Sequence, residues 1–239
     1  MDIYSNAGKK RKKYPPAKKR FMKIPEGVLD FYFITNRKLS RKPVLETVAD
    51  AVRGGARIIQ YREKDLPMPE IIQQAHAIAE LCRASGVLFI VNDYVDVAVS
   101  VDADGLHIGR NDVPYLIARD AMGADKIVGV SVRSAWQAVE AERAGADYVG
   151  LGPIFPTETK RDAGRAIGVQ AIAEARRRLR IPIVAIGGIT LENCAEVVRA
   201  GADGVAAISD VVGREDIAER VAEFRRRVAL AKAGRKSFL

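Results

Sequence analysis

From residue 31 onward, short runs of β-branched and other apolar residues alternate with longer stretches whose apolar positions recur every three to four residues. The first kind reads as a buried strand and the second as an amphipathic helix. Eight such pairs occur. The predicted strands cover 31–35, 57–61, 87–91, 105–108, 127–131, 148–152, 183–186 and 204–207. The clearest predicted helices cover 69–84, 135–144, 169–179, 191–199 and 215–228, with a short segment at 95–99. Strands and helices in strict alternation imply a parallel sheet with crossover helices. Four of the junctions echo one another: Gly55-Ala56-Arg57, Asp102-Ala103-Asp104-Gly105, Gly145-Ala146-Asp147 and Gly201-Ala202-Asp203-Gly204. A glycine that ends a helix, followed by a small residue and Asp, turns the chain into the next strand. Each echo enters an even-numbered strand, and recurrence in every second unit predicts a closed α/β barrel, the (β/α)8 TIM barrel. An open doubly wound sheet is the alternative, but its GxGxxG fingerprint does not follow the first strand.

Composition narrows this picture. With 239 residues, 48% of them apolar and only 6% aromatic, the chain suits one domain with a large aliphatic core. No apolar run reaches the roughly 20 residues that span a bilayer, and the basic N-terminus lacks the apolar stretch of a secretory signal. A soluble, cytoplasmic protein with no membrane partner is therefore expected. Cys82 and Cys194 lie far apart in helical segments without a CxxC pair, and are expected to be reduced structural thiols. The formal charge of +9 is concentrated at one end: residues 1–27 carry nine Lys or Arg against Asp2 and Glu26, a net of +7, which leaves +2 for the rest. The expected organisation is a basic, disordered N-terminal tail over 1–27, a barrel over 28–230 and a short basic tail over 231–239. Met22, just ahead of the first strand, offers an alternative start. A basic run broken by Pro15-Pro16 and lacking apolar periodicity reads as a solvated arm, so a nucleic-acid partner is not expected. A barrel acting on nucleic acid through that arm is the reading of another class.

The chemistry lies where the predicted strands end, because in such a barrel the loops after the strands build the active site. Gly187-Gly188 and Ile208-Ser209 follow strands seven and eight, the loops that commonly bind phosphate through backbone N–H groups. Taken alone, Gly187-Gly188 is also an ordinary turn. Gln60, Arg62 and Lys64 alternate at the end of strand two and so project to one side. An Arg fork and a mobile Lys charge suit a diphosphate; the plainer alternative is a charged loop neutralised by Glu63 and Asp65. Asn92-Asp93 follows strand three, and Asp112 lies after strand four. Two carboxylates on adjacent loops suit Mg2+ that keeps some waters and takes substrate phosphate as a further ligand, while Asp112 ahead of Val113-Pro114 equally reads as a helix N-cap. Thr157-Glu158-Thr159-Lys160 follows the proline-bracketed Gly152-Pro153-Ile154-Phe155-Pro156 and offers hydroxyls to one phosphate and Lys160 to another. His107 reads as a residue packed behind the site rather than an acid–base catalyst. Such a rim points to two phosphorylated substrates and a hard divalent cation.

These motifs, together with Gly129-Val130-Ser131 and Ala185-Ile186-Gly187-Gly188-Ile189, stand in the order in which they occur in thiamine-phosphate synthases. The chain resembles that family from about residue 28 to 228. The resemblance implies a TIM-barrel transferase that joins a pyrimidine diphosphate to a thiazole phosphate and releases pyrophosphate. It assigns pyrimidine-diphosphate contacts to Gln60, Arg62, Lys64, Asn92, Ser131 and Lys160, among which Arg62, Lys64, Ser131 and Lys160 carry the catalytic step. It assigns Mg2+ to Asp93 and Asp112, and the thiazole phosphate to Thr157, Thr159, Gly188, Ile208 and Ser209. In that family the diphosphate leaves first and the thiazole nitrogen captures the pyrimidine-methyl cation, so no acid–base residue is required. The related thiazole tautomerases tend to carry a histidine in Ser-Val-His-Ser; here the stretch is Ser131-Val132-Arg133-Ser134, and Asn92-Asp93 is kept. Departures from the family pattern are Arg110-Asn111, Tyr61 and Asp210. Asp210 follows the phosphate-binding Ser209 and is expected to face away from it.

Overall fold

In the computed structural model, residues 24–159 and 164–236 are described. Most of the predicted basic tail, residues 1–23, lies outside them, as do Lys160 and residues 237–239. Eight parallel strands pair in chain order: β1 (Phe33–Ile34), β2 (Ile58–Tyr61), β3 (Leu88–Asn92), β4 (Gly105–Ile108), β5 (Ile127–Val132), β6 (Tyr148–Leu151), β7 (Ile183–Ile186) and β8 (Gly204–Ala206). A parallel bridge between Phe31 and Val205, with Tyr32 N–H donating to the Val205 carbonyl at 2.9 Å, joins the last strand to the first. The sheet thus closes into the predicted (β/α)8 barrel. Outside it lie α1 (Val44–Arg53), α2 (Met68–Ser85), α3 (Val95–Ser100), α4 (Tyr115–Met122), α5 (Ala135–Ala144), α6 (Gln170–Arg176), α7 (Cys194–Arg199) and α8 (Ile217–Lys236).

Strand parity separates two cores. Phe31 and Phe33 face outward and pack with the helices, whereas Tyr32 and Ile34 belong to an inner cluster with Ile58, Ile90, Ile127, Tyr148 and Val184. Successive strand residues point to opposite faces, so a run such as Phe31-Tyr32-Phe33-Ile34 feeds both cores at once. Space inside the barrel is made by glycine. A Cβ on Gly129 would stand 2.1 Å from the Tyr148 ring, and one on Gly150 would stand 3.2 Å from His107 Cε1. The large inward side chains therefore reach the middle of the barrel.

The repeated junctions prove to be one device used four times. Gly55, Asp102, Gly145 and Gly201 all have positive φ (88°, 51°, 105° and 121°), the left-handed turn that ends the helix ahead of each even strand. The Asp two residues further on does more than turn the chain. Asp104 accepts from Phe89 N–H at 2.8 Å, Asp147 from Val128 N–H at 2.7 Å and Asp203 from Ile183 N–H at 2.8 Å, so each ties an even strand to the start of its odd neighbour. Helix α8 continues past the predicted end at 228: Ala231 is still buried in the core, Lys232 pairs with Asp30 at 2.6 Å and Arg235 donates to the Val198 and Ala202 carbonyls. Cys82 and Cys194 are both buried and free, and burial pushes the Cys82 thiol up to about 12. Among the described residues, no helix is long and apolar enough to cross a membrane.

Candidate active site

A cavity of about 410 Å³ opens at the C-terminal ends of the strands, where such barrels carry their chemistry. One wall is charged. Gln60, Arg62 and Lys64 all line it, as the alternation at the end of β2 predicts, and Asn92 and Asp112 stand beside them. The two carboxylates of this loop make contacts of their own. Buried Glu63 pairs with Arg37 at 3.0 Å and accepts the Lys64 and Asp65 N–H groups at 2.8 Å each, while Asp65 pairs with Lys38. The loop is thereby pinned from behind, and among the described residues nothing accepts a hydrogen bond from the Arg62 guanidinium, which faces the cavity. Arg110 and Asn111, the departures in the loop after β4, line the same side.

Asp93 and Asp112 come together next to this wall. Asp93 takes a positive φ of 66°, tolerable for Asp but costly by about 1 kcal/mol or more. Its Oδ2 lies 2.7 Å from Lys64 Nζ. Asp112 does not cap α4, whose cap position is Pro114; it accepts Gly109 N–H at 2.7 Å instead. Burial, and after it the Asp93 carboxylate hydrogen-bonded to it, raise Asp112 above the ordinary aspartate value, against the opposing pull of the Gly109 N–H and Lys64. Burial lowers Lys64, but contact with Asp93 outweighs it and raises its pKa. Two carboxylates sharing one site in this way call for a proton or a cation between them. Among the described residues no third His, Cys, Asp or Glu joins them. That donor set fits a hard divalent ion that keeps waters and recruits a phosphate oxygen, and does not fit a closed structural metal site.

The opposite wall is neutral and built from backbone. Thr157 and Thr159 turn their hydroxyls together at 3.3 Å, and Gly188, Ile208 and Ser209 complete the wall. Gly187 and Gly188 have φ of 96° and 62°, and a Cβ would come within 2.5 Å of Pro153 Cα at the first and 2.6 Å of the Pro156 carbonyl at the second. Only glycine fits where these two loops cross. Among the described residues no acceptor takes up the backbone N–H of Gly188 or Ser209, which leaves both for a phosphate. Asp210 faces away as expected: it accepts Leu191 N–H at 3.1 Å and pairs with Arg220.

The floor joins the two walls through a chain of hydrogen bonds that the sequence reading missed. Gln60 Nε2 donates to Tyr32 Oη at 3.1 Å, Tyr32 Oη meets Tyr148 Oη at 2.6 Å, Tyr148 Oη meets His107 Nδ1 at 2.8 Å, and His107 Nε2 meets Ser131 Oγ at 2.8 Å. Gln60 and Ser131, two of the predicted contacts, are thus the ends of one network. Burial keeps both phenols protonated by raising them well above the ordinary tyrosine value. His107 is buried with both ring nitrogens engaged, but it lines the cavity floor rather than standing behind it. Strand parity was the available signal for Tyr32, since it alternates with Phe31 and Phe33. Nothing local marked Tyr148. Arg133 also lines the cavity, where a tautomerase would carry histidine, and donates to the Arg165 carbonyl at 3.2 Å.

The site therefore gathers eleven of the predicted residues around one cavity and Asp93 at its edge, with Lys160 outside the described residues. The chain is also similar to known proteins over most of its length. The family model described as thiamine monophosphate synthase matches residues 31–211. A thiamine-phosphate synthase from Methanosarcina barkeri is 51% identical over 189 residues, covering 79% of this chain and 86% of the relative. One from Moorella thermoacetica is 47% identical over 204 residues, covering 85% and 97%. The solved thiamine phosphate pyrophosphorylase from Pyrococcus furiosus superposes with a TM-score of 0.79 at 42% identity, covering 86% of this chain and 98% of that one.

Proposed function

This chain belongs to the thiamine monophosphate synthase family, and we propose that the cavity is where it joins 4-amino-2-methyl-5-(diphosphomethyl)pyrimidine to 4-methyl-5-(2-phosphoethyl)thiazole, giving thiamine phosphate and pyrophosphate. The observation that carries this reading is the division of one cavity into a cationic wall beside a carboxylate pair and a neutral wall of free N–H groups and hydroxyls. Each wall suits one of the two phosphorylated reactants.

On the cationic wall, Arg62 and Lys64 hold the diphosphate, with Asn92 beside them and Lys160 assigned by sequence as a further contact. Gln60 and Ser131, fixed by the floor network, orient the aminopyrimidine ring. Asp93 and Asp112 would hold Mg2+, whose Lewis acidity supports departure of the diphosphate when it is bound. The methylene C–O bond breaks and its electron pair leaves with pyrophosphate. Arg62 forks onto the growing negative charge while Lys64 meets it as a point charge. Thr157, Thr159, Gly188, Ile208 and Ser209 seat the thiazole phosphate, so that the ring nitrogen faces the electron-deficient carbon and its lone pair closes the new C–N bond. The product nitrogen carries the positive charge and no proton moves. That agrees with a cavity whose one histidine, among the described residues, has both ring nitrogens engaged. Arg133 at the position of the tautomerase histidine cannot serve as an acid–base group at neutral pH and disfavours that second reading.

The test is turnover of Asp93→Asn and Asp112→Asn as Mg2+ is varied. Each variant is expected to lose about 100-fold or more in kcat, while binding of the thiazole phosphate stays near wild type. Undiminished, metal-independent turnover in Asp93→Asn would overturn the assignment of the cation site.

A further inference from the structure

Lys64 and Asp93 are claimed by two different ligands, yet they hold each other. The ammonium sits 2.7 Å from Oδ2 of Asp93, a carboxylate that would hold the divalent cation, and Lys64 is itself assigned to the diphosphate. Arg62, a second cation of this wall, has no acceptor among the described residues. Asp93 and Asp112 match Arg62 and Lys64 in formal charge, and Arg110 on the same side adds one positive charge. A divalent cation arriving alone must displace Lys64 from Asp93 and leave the ammonium beside two other positive charges. A diphosphate arriving alone must draw Lys64 away and leave Asp93 and Asp112 facing each other. When both arrive, Lys64 moves from carboxylate to phosphate oxygen, and the metal takes the place it vacates.

From this geometry we infer that Lys64 is a resident counter-ion for the metal site, and that its transfer from Asp93 to the diphosphate makes metal binding and diphosphate binding depend on each other. The inference rests on the two-carboxylate cation site proposed above. The side chain is suited to the exchange. It is 44% exposed against 13% for Asp93, so the ammonium can swing on its four-carbon stem while the carboxylate stays put. The Asp93 N–H on the His107 carbonyl at 2.9 Å and the Gly109 N–H on Asp112 at 2.7 Å tie both carboxylate residues to the barrel. Coupling of this kind is reciprocal: whatever factor pyrophosphate adds to metal affinity, metal adds to pyrophosphate affinity.

The test uses the full chain and Mn2+ as the probe, with free Mn2+ followed by its electron paramagnetic resonance signal, alone and with inorganic pyrophosphate. The complex that pyrophosphate forms with Mn2+ in solution is measured in parallel. In wild type, pyrophosphate is expected to tighten Mn2+ binding at least about tenfold, equivalent to about 1.4 kcal/mol. Lys64→Met is expected to bind Mn2+ alone about tenfold more tightly than wild type, with most of the pyrophosphate effect gone. Lys64→Arg keeps the charge and is expected to bind Mn2+ alone as weakly as wild type. Lys64→Met that binds Mn2+ alone no better than wild type would overturn the counter-ion role. Asp112→Asn separates that failure from a failure of the cation site: Mn2+ binding that survives this change removes the site itself, and the inference with it.

Discussion

Removing one oxygen from the floor of the barrel tests whether its hydrogen-bond chain is structural or incidental. In Tyr148→Phe the ring stays in the space that Gly129 leaves for it, so packing is kept and only the hydroxyl is lost. That hydroxyl bonds Tyr32 Oη at 2.6 Å and His107 Nδ1 at 2.8 Å, and all three residues are buried. Tyr32 keeps the Gln60 amide as a donor but loses its bond to Tyr148, and His107 Nδ1 loses its 2.8 Å bond to the same hydroxyl. At about 1–2 kcal/mol for each of the two buried hydrogen bonds lost, the variant should be about 2–4 kcal/mol less stable. For a domain of this size that corresponds to a fall in Tm of roughly 4–16 °C. Guanidinium unfolding measures the free energy directly, and an unchanged m-value would show that the denatured state is not the cause. Because the network ends on Gln60 and Ser131, KM for the pyrimidine diphosphate should rise as well, with KM for the thiazole phosphate unaffected. A loss under about 0.5 kcal/mol with unaltered kinetics would refute the reasoning, since water in the cavity would then replace the hydroxyl at no cost.

Gly187→Ala forces a methyl to within 2.5 Å of Pro153 Cα at a φ of 96°, and should cost about 2–4 kcal/mol in chemical denaturation while raising KM for the thiazole phosphate; a neutral effect would mean that the two loops do not meet as described. Asp112→Asn should raise the metal-free Tm at pH 7, because burial and Asp93 raise this carboxyl and so make its ionised form unfavourable in the folded state. A lower Tm would contradict that sign. Burial raises Asp50, but hydrogen bonds from Lys42 and Arg53 outweigh it and hold its folded pKa below the ordinary value. The stability this confers is present above about pH 4 and lost as pH falls through the folded value, so Asp50→Asn should cost about 1 kcal/mol at pH 7 and converge with wild type in acid.

Much of this molecule is legible in its sequence because the barrel repeats one physical pattern. Parallel strands buried on both faces must be apolar runs, and a predicted strand such as 183–186 coincides with β7 for that reason. The four echoing junctions were readable as turns because a left-handed residue selects glycine, or Asp at 102. Their second role was not readable, since the N–H groups that Asp104, Asp147 and Asp203 accept lie on neighbouring strands far away in sequence. Helix ends were less legible. Helix α7 begins at Cys194 rather than 191, after a turn in which Asn193 Oδ1 takes Thr190 N–H, and α8 runs past its predicted end on the buried Ala231 and on polar contacts. In the site, alternation at Gln60, Arg62 and Lys64 and the paired glycines sufficed to bring the two walls together. The floor was hidden because Tyr32, His107 and Tyr148 come from three strands, and only closure of the barrel makes them neighbours.

The central claim is a condensation that releases pyrophosphate without acid–base catalysis. The most direct measurement is the yield of thiamine phosphate and pyrophosphate from the two purified substrates, with Mg2+ or with a chelator. Equal amounts of both products are expected, formed only with the metal and at a rate nearly flat between pH 6 and 9, a range in which about ten-fold changes per pH unit would mark an essential proton transfer. A folded protein that forms neither product, or one whose rate follows a single titrating group across that range, would contradict it.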